Sequence, residues 1–588
     1  MKSYFIRNKI IVLSFLLGQT VAGISQPDLR YNENKTPTWE EVIDLYRDLD
    51  KRYSNASLLE AGTTDVGKPL HLFVISDDAS LRPEEIHKVG KRIIMINNGI
   101  HPGESNGIDA SIEFAYEILS GKHAYSANLK NTVILIIPVF NVGGALNRSP
   151  YHRANQNGPE EHGFRGNARN LDLNRDFVKM DSRNARSIAK IIHKWDPDIF
   201  IDTHSTNGAD YPYTVTIIPS HHQQLAPSQS AFMKDVMLPE LFLRMNESPD
   251  KMSQYVNIFR GSPEEGFRGF FEYPRYLAGY TSTFNILSFT IETHMLKPYA
   301  DRVQSTKQLL GEMLKFTSEH ADEIASNKKA AIESVINQNI HVLQWKSDTS
   351  RYDMIDFTGY KAKYKPSELT GQQMLYYDRE DIWKAKIPFY DYFQPAIEVE
   401  APEYYIVPGA WNDVIERLKC SNIQMHTLTN DTTLNAQAYF IDAFESGRQP
   451  YNGHYWHYNT SVHAENVDIQ LYSGDIIIPV KQRGAPYIVH TLEPRGYDSF
   501  FSWNFFDACL SRKEYFSPYL FEETAIHFLE QNPEIKKEFE SLKEQDPDFS
   551  NNARSQLYWI YSRSPWSEPT YQRYPVYRYN GSIDALIE

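Results

Sequence analysis

Three short stretches set metal-binding and proton-transferring side chains at the ends of apolar runs. His101-Pro102-Gly103-Glu104 follows Ile93–Ile96. A histidine and a carboxylate separated by two residues can turn toward one metal ion. The plainer alternative is a loop histidine beside a glutamate that opens a helix and complements its dipole. His204 closes a second run, Asp198-Ile199-Phe200-Ile201-Asp202-Thr203-His204. Alone it would be a hydrogen-bonded surface residue. With His101 and Glu104 it completes the two-histidine, one-carboxylate set of a catalytic zinc site that keeps a position for water. Glu292 ends a third run, Phe289-Thr290-Ile291-Glu292. A carboxylate leaving a buried strand is costly unless it is paired or faces a cleft, and a general base beside a metal site needs such a group. A salt bridge closing the sheet edge is the structural alternative. Between these runs lies Asn170-Leu171-Asp172-Leu173-Asn174-Arg175-Asp176-Phe177. Asn174 and Arg175 could clamp a substrate carboxylate, because guanidinium offers a planar two-pronged donor; by itself the pair reads as a loop contact. Arg153 is a second cation nearby in sequence.

Positioning these groups requires strands whose carboxyl ends meet, the edge at which open α/β sheets gather ligands. Leu58–Ala61, Leu70–Ile75, Ile93–Ile96, Thr132–Ile137, Ile199–Ile201 and Ile286–Ile291 read as strands. Helical spacing begins after Thr38, an N-cap candidate, and recurs at Ile108–Leu119, Ser187–Trp195 and Leu309–Phe316. Short apolar strands alternating with helices predict an α/β fold with a mixed central sheet flanked by helices. We assign it to residues 26–340. Residues 341–588 predict a second domain, mixed α/β or β-rich. Its expected strands are Tyr404–Val407, Ile423–Leu428, Ile476–Val480 and Tyr487–His490, and its helices Trp411–Lys419, Phe521–Leu529 and Glu534–Leu542. A closing aromatic stretch, Trp566–Tyr579, is expected to wrap over another surface.

In order, His101-x-x-Glu104, Asp172-x-Asn174-Arg175, His204-Ser205 and Glu292 resemble the zinc carboxypeptidase family typified by carboxypeptidase A, over roughly residues 38–325. The resemblance implies removal of C-terminal residues from peptides with a free carboxylate, using one zinc ion per chain. It implies His101, Glu104 and His204 as metal ligands, Asp172 as the carboxylate orienting the first histidine, and Asn174 and Arg175 as the terminal-carboxylate binders. It further implies Arg153 as the group that polarises the scissile carbonyl and Glu292 as the general base toward zinc-bound water. The family's substrate-capping tyrosine has no firm counterpart; Tyr276 and Tyr280 are the candidates, and Tyr280 is assigned to substrate binding. His294, after Glu292-Thr293, departs from the digestive enzymes and reads as structural. Arg275, the one charge in Tyr273–Phe284, predicts a pocket that disfavours basic C-terminal residues and accepts aromatic or acidic ones.

The alternatives are a zinc deacylase of N-acyl amino acids, a peptidase of cell-wall stem peptides, and a non-catalytic protein reusing the fold; the last would have lost a ligand or the base. A net charge of −15 over 588 residues argues against a nucleic-acid partner. Lys2, Arg7 and Lys9 precede the short apolar run Ile10–Leu17, with small residues near Ala22, so residues 1–25 read as a signal peptide and the mature protein as secreted or periplasmic. No later run is long enough to span a bilayer. Two cysteines, Cys420 and Cys509, allow at most one disulfide, so any metal must use histidines and carboxylates.

Overall fold

The computed structural model describes residues 26–77, 81–247, 251–584 and 586–587; the expected signal peptide lies outside them. Eight strands build the central sheet: β1 (Ala56–Thr63), β2 (Pro69–Ile75), β3 (Arg92–Asn97), β4 (Thr132–Ile137), β5 (Ile199–Thr206), β6 (Val215–Pro219), β7 (Met252–Gln254) and β8 (Leu287–His294). Their order is β1-β2-β4-β3-β5-β8-β6-β7. The middle of the sheet is parallel, β4 to β3, β3 to β5 and β5 to β8, while β2 joins β4 and β6 joins β8 antiparallel. The fold is α/β with a mixed sheet. The three apolar runs singled out in the sequence are the three adjacent strands β3, β5 and β8. Their largely apolar stretches, Ser288 and Thr290 of β8 aside, follow from burial on both faces.

Helices cover one face. Trp39–Arg52, opened by a capping box between Thr38 and Glu41, shares a core with Asn106–Leu119, Leu238–Asn246 and Tyr299–Glu319. The helix Asn106–Leu119 sits hard against β5: a Cβ on Gly107 would lie 2.0 Å from Thr203 Oγ1. That close approach fixes the helix start two residues beyond Glu104.

The other face is covered partly by the helix Arg183–Trp195 and partly by residues beyond 400. Val74, Met95, Leu135 and Phe200 share one core with Val407, Tyr487, Trp503 and Tyr574. The C-terminal region is β-rich, with a six-stranded sheet containing Tyr404–Val407, Thr432–Ser446, His457–Leu471, Ile476–Pro479 and Arg573–Tyr579. The aromatic tail is therefore a sheet strand as well as a cover. Tyr487–His490, expected as a strand, lies in the helix Ala485–Leu492: seven of its eight residues are buried, so no amphipathic period shows, and Pro486 opens it. Of the expected strand Ile423–Leu428, only His426–Thr427 pairs. Cys420 and Cys509 are both free thiols. Among the described residues no helix is long and apolar enough to cross a membrane.

Candidate active site

The site assembles at the carboxyl ends of β3, β5 and β8. His204 and Glu292 are direct register partners across the parallel β5–β8 pair. His101 and Glu104 lie in the tight turn between β3 and its helix, where the Glu104 N–H donates to His101 O. The result is a buried triangle: His101, Glu104 and His204 each place a ligand atom within 4.8 Å of the others. His101 Nδ1 is 3.3 Å from Glu104 Oε1, and His204 Nδ1 is 3.0 Å from Glu104 Oε2.

The outward nitrogens are held by carboxylates. His101 Nε2 meets Asp172 Oδ1 at 2.9 Å, and His204 Nε2 meets Asp202 Oδ2 at 2.9 Å. Such partners fix ring orientation and leave the opposite nitrogens facing a common point. Burial works against charge on His204, but Asp202 and Glu104 outweigh it and hold its pKa well above the usual range. Burial likewise opposes the Glu104 carboxylate, yet Arg153 and His101 keep it well below the carboxylate range. The donor set, two imidazole nitrogens and a carboxylate with no thiolate, fits zinc with an open position.

The cleft over this triangle has a volume of about 470 Å³ and is lined by all the assigned residues except Asp172 and Tyr280. Glu292 faces it with Oε2 free of any hydrogen-bond partner. Burial, aided by Glu104, pushes Glu292 up to about 8 against the pull of His204. Arg153 bridges Glu104 Oε1 at 2.6 Å and the Ser205 carbonyl at 3.0 Å. Asn174 accepts the Leu277 N–H at 3.0 Å, and its amide lies 3.4 Å from His204 Nε2. Arg175 donates from Nη1 to Asn174 O at 2.6 Å and from Nε to the Tyr451 hydroxyl at 2.8 Å, with its guanidinium over the Tyr276 ring.

Tyr280 does not reach the cleft. It is fully buried, its hydroxyl between His193 and Ser421, because it lies on the inner face of the short helix Leu277–Ser282 that packs beneath the clamp. Tyr276, at that helix's N-cap, does line the cleft, as does Tyr255. His294 donates to Ala209 O at 3.0 Å and is buried, a structural role. Arg275 is also absent from the pocket. It is buried, donates to Asp498 Oδ1 at 2.7 Å, and sits over the rings of Trp456, Tyr497 and Trp503. Asp498 and these rings lie far downstream in the C-terminal region, so no local pattern pointed to them.

Two charged cleft residues went unassigned in the sequence. Arg165 reaches both Asp172 Oδ2, at 2.8 Å, and Glu104 Oε1, at 3.5 Å. Glu272 lines the cleft with its carboxylate on Thr290 Oγ1, at 3.0 and 3.2 Å, and burial pushes it up to about 7. Thr290 precedes Glu292 by two and shares its face of β8, which places Glu272 deeper along the same wall. A second group, His221, His222 and Asp391, also brings ligand atoms together. There the Gln223 N–H donates to His221 Nδ1, so the proton sits on Nε2 and is directed at Asp391, while His222 Nδ1 stands 3.9 Å from Asp391 Oδ2.

Residues 42–299 match a family model described as zinc carboxypeptidase. Carboxypeptidase 2 of Trichophyton tonsurans is 18% identical over 461 residues, spanning 74% of this chain and 77% of that protein. Among solved structures, the metallo-carboxypeptidase from Burkholderia cenocepacia is 20% identical, covering 48% of this chain and 69% of its own, with a TM-score of 0.35. Carboxypeptidase A from Helicoverpa armigera is 15% identical over 51% of this chain and 75% of its own, with a TM-score of 0.37.

Proposed function

Residues 42–299 form a zinc carboxypeptidase domain, and from that premise we propose that this peptide hydrolase removes C-terminal residues from peptides with one zinc ion held by His101, Glu104 and His204. The observation that carries the proposal is the meeting of this three-ligand triangle with the unpartnered Glu292 oxygen and the Asn174–Arg175 pair in one cleft. When bound, zinc acts as a Lewis acid toward water and the scissile carbonyl. Glu292 takes the proton of the attacking water and returns it to the departing amine nitrogen. Arg153 presents its guanidinium to the carbonyl oxygen as charge grows there. Asp172 holds the His101 ring in place. Asn174 and Arg175 grip the terminal carboxylate. The basic, apolar N-terminal stretch supports export of the chain.

A peptide-library digest read by mass spectrometry, with and without a chelator, tests this reading alongside N-acyl amino acids. The expected result is release of single C-terminal residues that chelation abolishes. Faster turnover of N-acyl amino acids would favour the deacylase, and full activity without metal would overturn the proposal.

The clamp gives a separable expectation. A charge-assisted contact contributes about 1.5–3 kcal/mol, so Arg175→Ala should lower kcat/KM on free-carboxylate peptides by about 10- to 100-fold. C-terminally amidated peptides, already poor substrates, should change little. Equal losses on both series would make Arg175 a support of the fold.

A further inference from the structure

Arg175 is held from outside the matched segment. The strands Thr432–Ser446 and His457–Leu471 form a long hairpin whose connection carries a tight turn, Tyr451-Asn452-Gly453-His454. Tyr451 and His454 exchange backbone hydrogen bonds at 2.7 and 3.2 Å, and Asn452 and Gly453 both have positive φ, 51° and 87°. That is the I′ geometry for which Asn-Gly is best suited. The turn lies against the clamp. Tyr451 accepts Arg175 Nε–H at 2.8 Å. Asn452 brackets the backbone of Asp172, accepting its N–H at 2.7 Å and donating to its carbonyl at 3.0 Å. His454 meets Asp181 at 2.7 Å. Beneath, the Tyr451 ring stacks on Trp503, with centroids 5.9 Å apart and planes 18° apart, over the caged Arg275.

We propose that Tyr451 is a positioning residue for the carboxylate clamp, delivered to the catalytic cleft by the C-terminal region. The guanidinium has five N–H donors. Tyr451 takes the one on Nε and the Asn174 carbonyl takes one on Nη1. With Tyr276 against its face, the plane of Arg175 is set and the Nη2 end is left to meet a carboxylate. The bond replaces freedom that a long side chain would otherwise lose on binding substrate, so it acts on affinity. Asn452 extends the same bracing to Asp172, the partner of His101.

The inference rests on the reading of Arg175 as the carboxylate binder, and the experiment separates the two. Tyr451→Phe keeps the ring on Trp503 and removes only the acceptor. On a free-carboxylate peptide KM should rise about fivefold, the worth of one ordinary hydrogen bond, while kcat stays within about twofold and amidated peptides do not respond. In an Arg175→Ala background the same substitution should have no further effect, since the coupling runs through that side chain. Unchanged KM in Tyr451→Phe overturns the inference and leaves the clamp standing. An undiminished effect in the Arg175→Ala background also overturns it, as does a loss confined to kcat. If Arg175→Ala itself treats acid and amide peptides alike, the clamp reading is what fails.

Discussion

Glu292→Gln should leave the metal in place and slow peptide hydrolysis by about 10²–10⁴-fold, the usual contribution of a positioned proton acceptor. Glutamine preserves the shape of the side chain, and the Glu292 carboxylate is not within the ligand triangle, so the ion should still bind stoichiometrically. His101→Ala is the contrast: it removes a ligand and should lose both metal and activity. Metal content by elemental analysis and turnover on one peptide therefore sort the two roles. A Glu292→Gln protein that loses its metal would make Glu292 a ligand, and one with full turnover would remove it from the reaction. The fold should survive the exchange. Glu292 is a buried acid without a hydrogen-bond partner for Oε2, and a neutral side chain in its place relieves repulsion from Glu104.

The second large effect concerns the departing residue. Arg275 is neutralised by Asp498 and walled off by aromatic rings, so it cannot select for acidic residues. Apart from Glu104 and Glu292, the acidic group on the cleft wall is Glu272, whose carboxylate has Thr290 as its hydrogen-bond partner. A cationic side chain in the cleft would supply the counter-charge that this carboxylate lacks. Lys and Arg should be released fastest from a matched peptide series, the reverse of the preference read from Arg275. Breaking a desolvated charge pair costs about 2–5 kcal/mol. Glu272→Gln should therefore lower kcat/KM on basic residues by at least about 30-fold and leave Leu or Phe release nearly unchanged. The pH dependence has a definite sign. Burial raises Glu272 to about 7, so in the free enzyme the acid is neutral below that value and ionised above it. The ratio of Lys to Leu release in kcat/KM should fall as pH drops through about 7, and Glu272→Gln should flatten it. Aromatic or acidic residues released ahead of Lys and Arg would sink this assignment.

What could be read in the sequence was what is local to a strand end. Ile93–Ile96, Ile199–Ile201 and Leu287–Ile291 in β3, β5 and β8 are buried on both faces and largely apolar, and each strand delivers its site residue at or just beyond its carboxyl end. His101, Glu104, His204 and Glu292 converge for that reason. Arg153, Asn174, Arg175 and Asp172 were found by the order of their motifs, and the structure brings them to the same place. Tyr280 and Arg275 went astray because the fate of a side chain on a short helix depends on what covers it. Here the cover is Ser421, Asp498 and Trp503, remote in sequence. Glu272 could not be singled out, because adjacency to Arg275 in sequence says nothing about which of two neighbours faces the cleft. Asn452-Gly453 is a dipeptide suited to a tight hairpin turn, a local signal left unread in the sequence. Its destination, on Arg175 and Asp172, could come only from the tertiary fold.

The core shared between Val74, Met95 and Phe200 on one side and Val407, Trp503 and Tyr574 on the other sets an order of events during synthesis. A chain made from its N-terminus completes β8 and its glutamate long before Tyr404–Val407 emerges, and longer still before Arg573–Tyr579. Until then one face of the central sheet has only part of its cover, and the apolar side chains on it meet water or a chaperone. The candidate site residues are thus translated early but seated late. Arg175 receives its hydroxyl partner, and Asp172 its amide bracket, only when Tyr451 and Asn452 emerge, 276 and 280 residues later.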